Sequence, residues 1–170
     1  MQSLSSPASG LTNLDAITVL MVEDDPDDVY FTQEALRASR LRLHLRVAND
    51  GVEAMRYLRN EGAEVRHRRP DLVLLDLNLP RMDGREVLTA IKQDPTLTDI
   101  PVVILTTSQA EEDVAASYRQ HANCYVSKPV DIEQFRSVVA SIENFWFTVV
   151  RLPPDGARTA GPARDDRFSP

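Results

Sequence analysis

Apolar residues along the chain fall into short runs that predict strands. Ile17–Val22 and Leu72–Leu75 are apolar at nearly every position, and so are residues 101–105. Strands that are apolar on both faces are typical of a parallel sheet covered by helices on each side. Residues 41–47 instead alternate Leu or Val with Arg or His, which predicts a half-exposed strand at a sheet edge. Residues 123–127 predict a short fifth strand.

Helix signals follow every predicted strand. Asp25 before Pro26 places a capping carboxylate next to a proline at its preferred first helical position. Asp131 and Gln134, three residues apart, fit a capping box at the start of the last helix. The predicted helices span residues 26–39, 51–60, 85–93, 108–120 and 131–150.

Strands and helices therefore alternate, five of each, which predicts right-handed crossovers within a parallel sheet. We expect an α/β fold: a doubly wound five-stranded parallel sheet in the order 2-1-3-4-5, which puts the alternating strand at an edge. Residues 1–15, rich in Ser, Gly and Ala, are predicted to form a flexible arm. Residues 16–151 would form the folded domain, and residues 152–170 a disordered Pro-rich tail.

Composition and charge narrow the class of protein. The chain has 170 residues, 42% of them hydrophobic and 26% charged, which suits one soluble globular domain. No apolar run has the length of a membrane span, and residues 1–13 lack a secretory signal pattern. The single cysteine excludes an internal disulfide, so we expect a cytoplasmic protein. The net charge of −7 argues against nucleic-acid binding as the main activity.

The four strands interpreted as inner all end in polar residues. Because the carboxyl ends of parallel strands meet at one edge, where ligands bind in such sheets, we expect these side chains to lie together. The alternative is that Asp76 only caps the next turn, but independent caps would not supply three acids, a hydroxyl and a lysine at once. The residues are Glu23 and Asp24 after the first strand, Asp76 and Asn78 after the third, Thr106 after the fourth and Lys128 after the fifth.

This set of residue types indicates phosphoryl chemistry. Three neighbouring carboxylates repel one another, and a hard divalent cation such as Mg²⁺, or Mn²⁺, relieves that repulsion. Lys128 supplies positive charge for a transferring phosphoryl group, and Thr106 supplies a hydrogen-bond donor. A carboxylate can itself accept the group, so the pattern predicts an aspartyl-phosphate site. We interpret Asp25 as a helix cap and Asp83 as a turn residue, outside the site.

Four motifs, in this order and at this spacing, resemble those of the receiver domain of two-component response regulators. They are VEDD at 22–25, LDLNLPRMDG at 75–84, LTTS at 105–108 and YVSKP at 125–129. The resemblance covers roughly residues 17–150 and implies a flavodoxin-like receiver fold. It also implies that Asp76 accepts phosphate from a histidine kinase. Asp24 and Asp76 would bind Mg²⁺ directly, with the backbone carbonyl of Asn78, and Glu23 would act through water.

The resemblance further implies a switch. Lys128 would pair with the phosphoryl group, and the Lys128–Pro129 peptide is typically cis in this family. Thr106 would move toward the phosphate while the ring of Tyr125 turns inward, which is a population shift biased by a local charge. The family usually has Ala or Gly after the threonine, so Thr107 is expected to narrow access for small phosphodonors.

Two further expectations concern partners. Residues 141–154 resemble stand-alone regulators that pair with phytochrome-type histidine kinases, and no output domain follows them in this chain. The carboxyl half of the last helix is apolar nearly all round, so it needs a second cover. We expect a homodimer through the fourth helix, fifth strand and fifth helix.

Two other function classes remain open at this point. Some metal-dependent phosphohydrolases also use an aspartate at a strand end. Their strand-end motif resembles Asp-x-Asp, whereas here the second position is Asn78. A degenerate receiver could act as a scaffold without phosphate, although the intact acids, Thr106 and Lys128 argue against it. The prediction is therefore a phosphoacceptor switch rather than an enzyme that turns over a substrate.

Overall fold

The fold is an open parallel sheet with helices on both faces. The computed structural model describes residues 16–38, 42–62, 64, 66–107, 111–119, 121–128 and 132–144. The strands are β1 (Ile17–Val22), β2 (Leu43–Ala48), β3 (Leu72–Leu75), β4 (Val102–Thr106) and β5 (Cys124–Ser127). The helices are α1 (Pro26–Arg37), α2 (Gly51–Arg59), α3 (Gly84–Gln93), α4 (Glu111–Arg119) and α5 (Ile132–Glu143).

The strand order is β2-β1-β3-β4-β5, and every pair is parallel, which confirms the predicted topology. On β2, His44 and Arg46 are exposed while Leu43, Leu45 and Val47 are half-buried, as the alternating pattern predicts for an edge. Treating the fifth strand as inner was wrong. Among the described strands β5 pairs only with β4, and none of its residues is fully buried, because it forms the opposite edge.

The core lies on both faces of the sheet, as the two-sided apolar runs indicate. Leu20 and Val22 of β1 belong to a buried cluster with residues of α2 and α3. Val19 and Met21, which point to the other face, pack with Leu72 and with Val29 of α1. Each fully buried leucine of this kind stabilises the fold by about 2 kcal/mol. The sheet is thereby fixed between two helical layers, with α1 against α5 on one side.

Short polar side chains cap the helices that begin next to the carboxyl edge of the sheet. Asp25 caps α1 by accepting a hydrogen bond from the Asp27 N–H at 2.9 Å, as predicted. The interpretation of Asp83 as a simple turn residue was wrong, because it caps α3 in a reciprocal capping box with Glu86. Both caps fix where the chain leaves the strand ends.

Several expectations lie outside the described residues. These are the amino-terminal arm, the Pro-rich tail, the Ser108 cap, the Asp131 cap and the Lys128–Pro129 peptide. The predicted last helix reached residue 150, and the structure describes α5 over Ile132–Glu143. The apolar side chains on which the dimer prediction depends are not described.

Within the part of the chain that is described, every helix is too short or too polar to cross a membrane.

Gly84 allows the backbone of α3 to approach the end of β3. A Cβ atom at this position would overlap the carbonyl oxygen of Asp76 and lie 2.7 Å from the Cα of Leu77. Both neighbours are backbone, so no side chain can move aside. Gly62 differs, because its φ of 71° is strained for other residues while the space around it is open.

We expect Gly84→Ala to lower the free energy of unfolding by about 3 kcal/mol, because the helix must shift away from the strand end. Gly62→Ala is the control and should cost about 1 kcal/mol through its left-handed backbone alone. Urea unfolding followed by circular dichroism measures both values. Equal losses in the two variants would contradict the close approach at Gly84.

Candidate functional site

Three carboxylates meet at the carboxyl edge of the sheet. Glu23, Asp24 and Asp76 each offer an oxygen, and these oxygens all lie within 4.8 Å of one another. Glu23 and Asp76 are buried, whereas Asp24 is exposed to solvent. These three residues lie together as the order of strand ends predicts, because the parallel strands β1 and β3 bring them there.

Lys128 neutralises part of this negative charge from the end of β5. Its side chain is only 4% exposed, and its ammonium nitrogen lies 2.5 Å from Glu23 Oε2 and 2.7 Å from Asp76 Oδ2. A third acceptor, Asp28 Oδ2, lies at 2.7 Å. An ammonium group has three hydrogens to donate, so all three are used. The lysine is held beside Asp76 as a fully hydrogen-bonded cation.

The electrostatics of this cluster alter two pKa values. Burial raises the pKa of Glu23 from 4.5 to about 7, although the hydrogen bond and charge of Lys128 oppose the shift. Burial by itself lowers the pKa of Lys128, but hydrogen bonds to Asp28, Asp76 and Glu23 outweigh it and raise that pKa above its ordinary value. Lys128 therefore stays charged at neutral pH, while Glu23 is poised to bind or release a proton.

The remaining predicted residues are Asn78 beside Asp76, Thr106 at the end of β4 and Tyr125 on β5. Asp76 Oδ1 accepts the backbone N–H of Asn78 at 3.1 Å, so the following turn orients the carboxylate. Thr106, fully buried at the end of β4, lies with its hydroxyl oxygen 3.5 Å from the Asn78 side-chain nitrogen, at the outer limit of a hydrogen bond. Tyr125 is half-buried on β5 and packs against the core.

Asp28 is the residue that sequence reasoning missed. It was interpreted only as favourable charge in the first turn of a helix, yet its carboxylate contacts Lys128, 100 residues away. The local sequence carries no signal that singles it out, because Asp27 lies in the same first turn; Asp28 is the third helical residue after the Asp25 cap, and helical side chains tilt toward the amino-terminal end. That tilt directs the carboxylate toward the strand ends.

The donor set fits a hard divalent cation. Mg²⁺ and Mn²⁺ prefer oxygen ligands, and Mg²⁺ commonly binds one or two carboxylates while keeping several waters. Two buried acids and one exposed acid offer such oxygens, with the exposed one toward solvent. The raised pKa of Glu23 comes mainly from its burial, and the nearby charge of Asp76 adds to it.

The fold and the residues at this edge of the sheet together define a class of protein. A 2-1-3-4-5 sheet with an aspartate after β3, acids after β1 and a lysine after β5 is the receiver arrangement expected from the motifs. A family model described as the response regulator receiver domain matches residues 19–140. The chain belongs to the response regulator receiver family.

Individual relatives are similar over most of the chain. Response regulator Rcp1 of Synechocystis sp. is 47% identical over 135 residues, which is 79% of this chain and 92% of that protein. The crystal structure of the phosphorylated cyanobacterial phytochrome response regulator RcpA superposes with a TM-score of 0.78 at 47% identity, covering 82% of this chain and 99% of that one. The Mn²⁺-bound form of Rcp1 gives a TM-score of 0.76 at 46% identity, covering 81% and 99%.

The raised pKa of Glu23 predicts pH-dependent stability in metal-free protein. Below pH 4.5 Glu23 is protonated in both the folded and the unfolded state, so its burial costs little. As the pH rises to 7 the unfolded state is ionised first, and the free energy of unfolding should fall by about 3 kcal/mol. Urea unfolding between pH 4.5 and 8 in the presence of a chelator measures this slope.

Glu23→Gln cannot titrate, so this component of the slope should vanish in that variant. Glu61→Gln, which removes an exposed carboxylate, should keep the wild-type slope. A Glu23→Gln protein with the same pH dependence as wild type would show that another group is responsible.

Proposed function

We propose that this protein is a single-domain response regulator in which Asp76 accepts a phosphoryl group from a histidine kinase. The observation that supports it most strongly is the position of the Asp76 carboxylate, 2.7 Å from a buried ammonium and within 4.8 Å of two further acids. A nucleophile beside positive charge, at the carboxyl end of a central parallel strand, suits phosphoryl transfer.

In the proposed step a carboxylate oxygen of Asp76 attacks the phosphorus of a phosphohistidine. A P–O bond forms, the P–N bond breaks, and the imidazole leaves with the bonding electron pair and takes a proton. Asp76 becomes an acyl phosphate, and one negative charge of the carboxylate is replaced by the charges of the phosphoryl oxygens. Lys128 is placed to donate to one of those oxygens, as a charged donor in a nearly dry environment.

Glu23, Asp24 and Asp76, with the backbone carbonyl of Asn78, would hold the Mg²⁺ or Mn²⁺. A bound divalent cation supplies positive charge that neutralises the phosphoryl oxygens as the bond to the donor breaks. Asp24 would remain the solvent-side ligand because it is exposed, and Glu23 would act through water.

Signalling would follow from a shift between two arrangements of Thr106 and Tyr125. The Thr106 hydroxyl at the end of β4 is the donor that would turn toward the phosphoryl group. Tyr125 lies on the edge strand next to β4, with Ile104 as its register partner, so movement at Thr106 can reach this ring through one strand pair. The output would be a changed surface at β5 that another protein binds.

The kinase would be of the phytochrome type. Of two similar proteins, RcpA is a cyanobacterial phytochrome response regulator, and Rcp1 is a response regulator with a known Mn²⁺-bound form. Bacteriophytochrome response regulator RtBRR is 42% identical at a TM-score of 0.65.

The cytoplasmic location, the absence of nucleic-acid binding and the effect of Thr107 on small donors stay predictions.

Two alternatives give different results in one assay. The protein is incubated with Mg²⁺ and a phosphorylated histidine kinase of the phytochrome type, and bound label and free phosphate are followed. The proposed switch gives a transient acyl phosphate, a phosphohydrolase gives steady phosphate release from small substrates, and a scaffold gives neither. Asn78 at the second position after Asp76 favours the switch over the hydrolase.

We expect Asp76→Asn to abolish kinase-dependent labelling, because no other acid at this site follows the central strand. Asp25→Asn, which changes a cap outside the cluster, is the control and should still be labelled. Radiolabel transfer followed by an alkaline lability test measures the acyl phosphate. Label of normal lability in Asp76→Asn would contradict the assignment of Asp76 as the phosphoacceptor.

The homodimer through α4, β5 and α5 is also a proposal. Tyr118 on α4 is 51% exposed, and β5 is the last strand of the sheet in the part of the chain that the structure describes, so this face offers apolar area at the margin of the sheet. Tyr125 lies on the same strand, which would couple phosphorylation to the contact.

We expect the wild-type mass in solution to exceed 19.0 kDa when the protein is concentrated and to fall toward it on dilution. Phe145→Asp combined with Phe147→Asp should remain at 19.0 kDa throughout, because charge would then face the apolar contact. Tyr30→Asp, at an exposed residue of α1, is the control and should behave as wild type. Sedimentation across dilution decides: a wild type that stays monomeric when concentrated and phosphorylated contradicts the dimer.

A further inference from the structure

Asp28 contacts the site lysine but lies apart from the acids that can share a cation. Its Oδ2 atom is 2.7 Å from the Lys128 nitrogen, and its side chain is 24% exposed. The carboxylates whose oxygens group within 4.8 Å are those of Glu23, Asp24 and Asp76. Among the described acids, Asp28 is therefore the partner of Lys128 that stands outside that group.

The other two acceptors of Lys128 have a second role. Glu23 and Asp76 each hold Lys128 through one oxygen and also belong to the candidate cation group. When their charge is shared with a divalent cation, less of it remains to hold the ammonium. A cation and an ammonium at such short range also repel each other, and the repulsion is strong where water is excluded.

A lysine that is 4% exposed cannot lose its counter-charges without a large desolvation penalty. It would then withdraw toward solvent, away from Asp76. A carboxylate that stays with Lys128 alone removes this difficulty. Asp28 has that position, and Lys128 keeps a charge-assisted hydrogen bond that does not compete with the cation group.

The first turn of α1 holds Asp28 in a fixed position. It follows Asp25 and Pro26, a capped and preorganised helix start, and its carbonyl accepts the Thr32 hydroxyl at 2.9 Å. The helix α1 packs against α5 and contributes Val29 to the core beside the sheet. The carboxylate is therefore held by a rigid element rather than by a loop.

We propose that Asp28 is a positioning residue, whose carboxylate holds the Lys128 ammonium beside Asp76 while Glu23 and Asp76 serve a divalent cation. The inference deepens the proposed phosphoacceptor function and rests on it for its kinetic consequence. Its geometric content, that Asp28 retains Lys128, is independent of phosphorylation.

The direct test observes the lysine itself. In protein with ¹⁵N-labelled lysine, a buried and hydrogen-bonded ammonium gives a slowly exchanging ¹H–¹⁵N signal, and Lys128→Arg assigns it. We expect wild type to keep this signal before and after saturation with Mg²⁺. Asp28→Asn should lose it when Mg²⁺ is added, because the amide supplies no charge.

Asp27→Asn is the matched control. Asp27 lies in the same helical turn, is exposed and carries the same charge, so it reproduces the change in net charge and in the helix-terminus interaction. We expect this variant to keep the lysine signal. Asp28→Glu, which restores a carboxylate, should recover it at least in part, and the backbone spectrum of each variant reports whether the fold is intact.

The second arm follows acyl phosphate formation from phosphoramidate with Mg²⁺, without any kinase, so that loss of kinase docking on α1 cannot mimic the effect. Asp28→Asn should react about tenfold more slowly, the loss typical of removing a group that orients a ligand or catalytic residue. Asp27→Asn should match wild type, and Asp28→Glu should lie between. Electron paramagnetic resonance of free Mn²⁺ records metal affinity in the same variants.

The outcomes separate the two proposals. If wild type takes no phosphate from phosphoramidate or from kinase, the phosphoacceptor function fails, and the lysine signal still decides the role of Asp28. If Asp28→Asn keeps the signal with Mg²⁺, the positioning role is overturned. An Asp28→Asn rate equal to or faster than that of Asp27→Asn also overturns it, since Asp28 would then be neutral or would compete with the phosphoryl group.

Discussion

The arrangement depends on one buried ammonium shared by three carboxylates. Lys128 joins β5, the loop after β1, the end of β3 and the first turn of α1 through Glu23, Asp76 and Asp28. Removing any one of these charges leaves the others unbalanced in a place where water cannot compensate. The geometry of the edge is therefore constrained as a unit, and the excess of carboxylates over ammonium groups suits it to a divalent cation.

The sheet makes this constraint possible. Polar groups can meet at one edge because all five strands are parallel and their carboxyl ends coincide. The strands β1, β3 and β4 are apolar on both faces, so burial between helices fixes them without using the residues at their ends. Stability is thereby supplied by the core, and the strand ends remain available for charges that repel one another. Gly84, which lets α3 approach the carbonyl of Asp76, belongs to the same geometry.

The two edges of the sheet differ in chemistry. β2 carries exposed Arg and His side chains, which discourage pairing with another strand. β5 lacks such charges within the strand, and it carries Tyr125 and leads directly into Lys128. A change of charge at Asp76 would act on Lys128, its hydrogen-bond partner, and thus on the end of β5. The proposed switch and the proposed contact face are neighbours because they share this strand.

The sequence by itself determined the class of fold and most of the site. Two-sided apolar runs are typical of covered parallel strands, and the alternating run on β2 is typical of an edge. Burial thus restricted the order of the sheet, and the doubly wound order 2-1-3-4-5 satisfied both conditions. Residues at strand ends, such as Asp76 and Lys128, were predictable because topology brings strand ends together whatever the details of packing. The edge position of β5 was implied by the order yet obscured by its short apolar segment.

Only the tertiary structure decided how the charges pair. Asp28 has the same local pattern as any acid in a first helical turn, and its contact with Lys128 depends on the angle at which α1 leaves the sheet. Asp83 differs, because Glu86 follows it at capping-box spacing, so its role as a cap was already visible in the local sequence. The pKa of Glu23 depends on burial and on Lys128, 105 residues away. Local sequence records which groups can be charged, but their distances and desolvation exist only once the chain is folded.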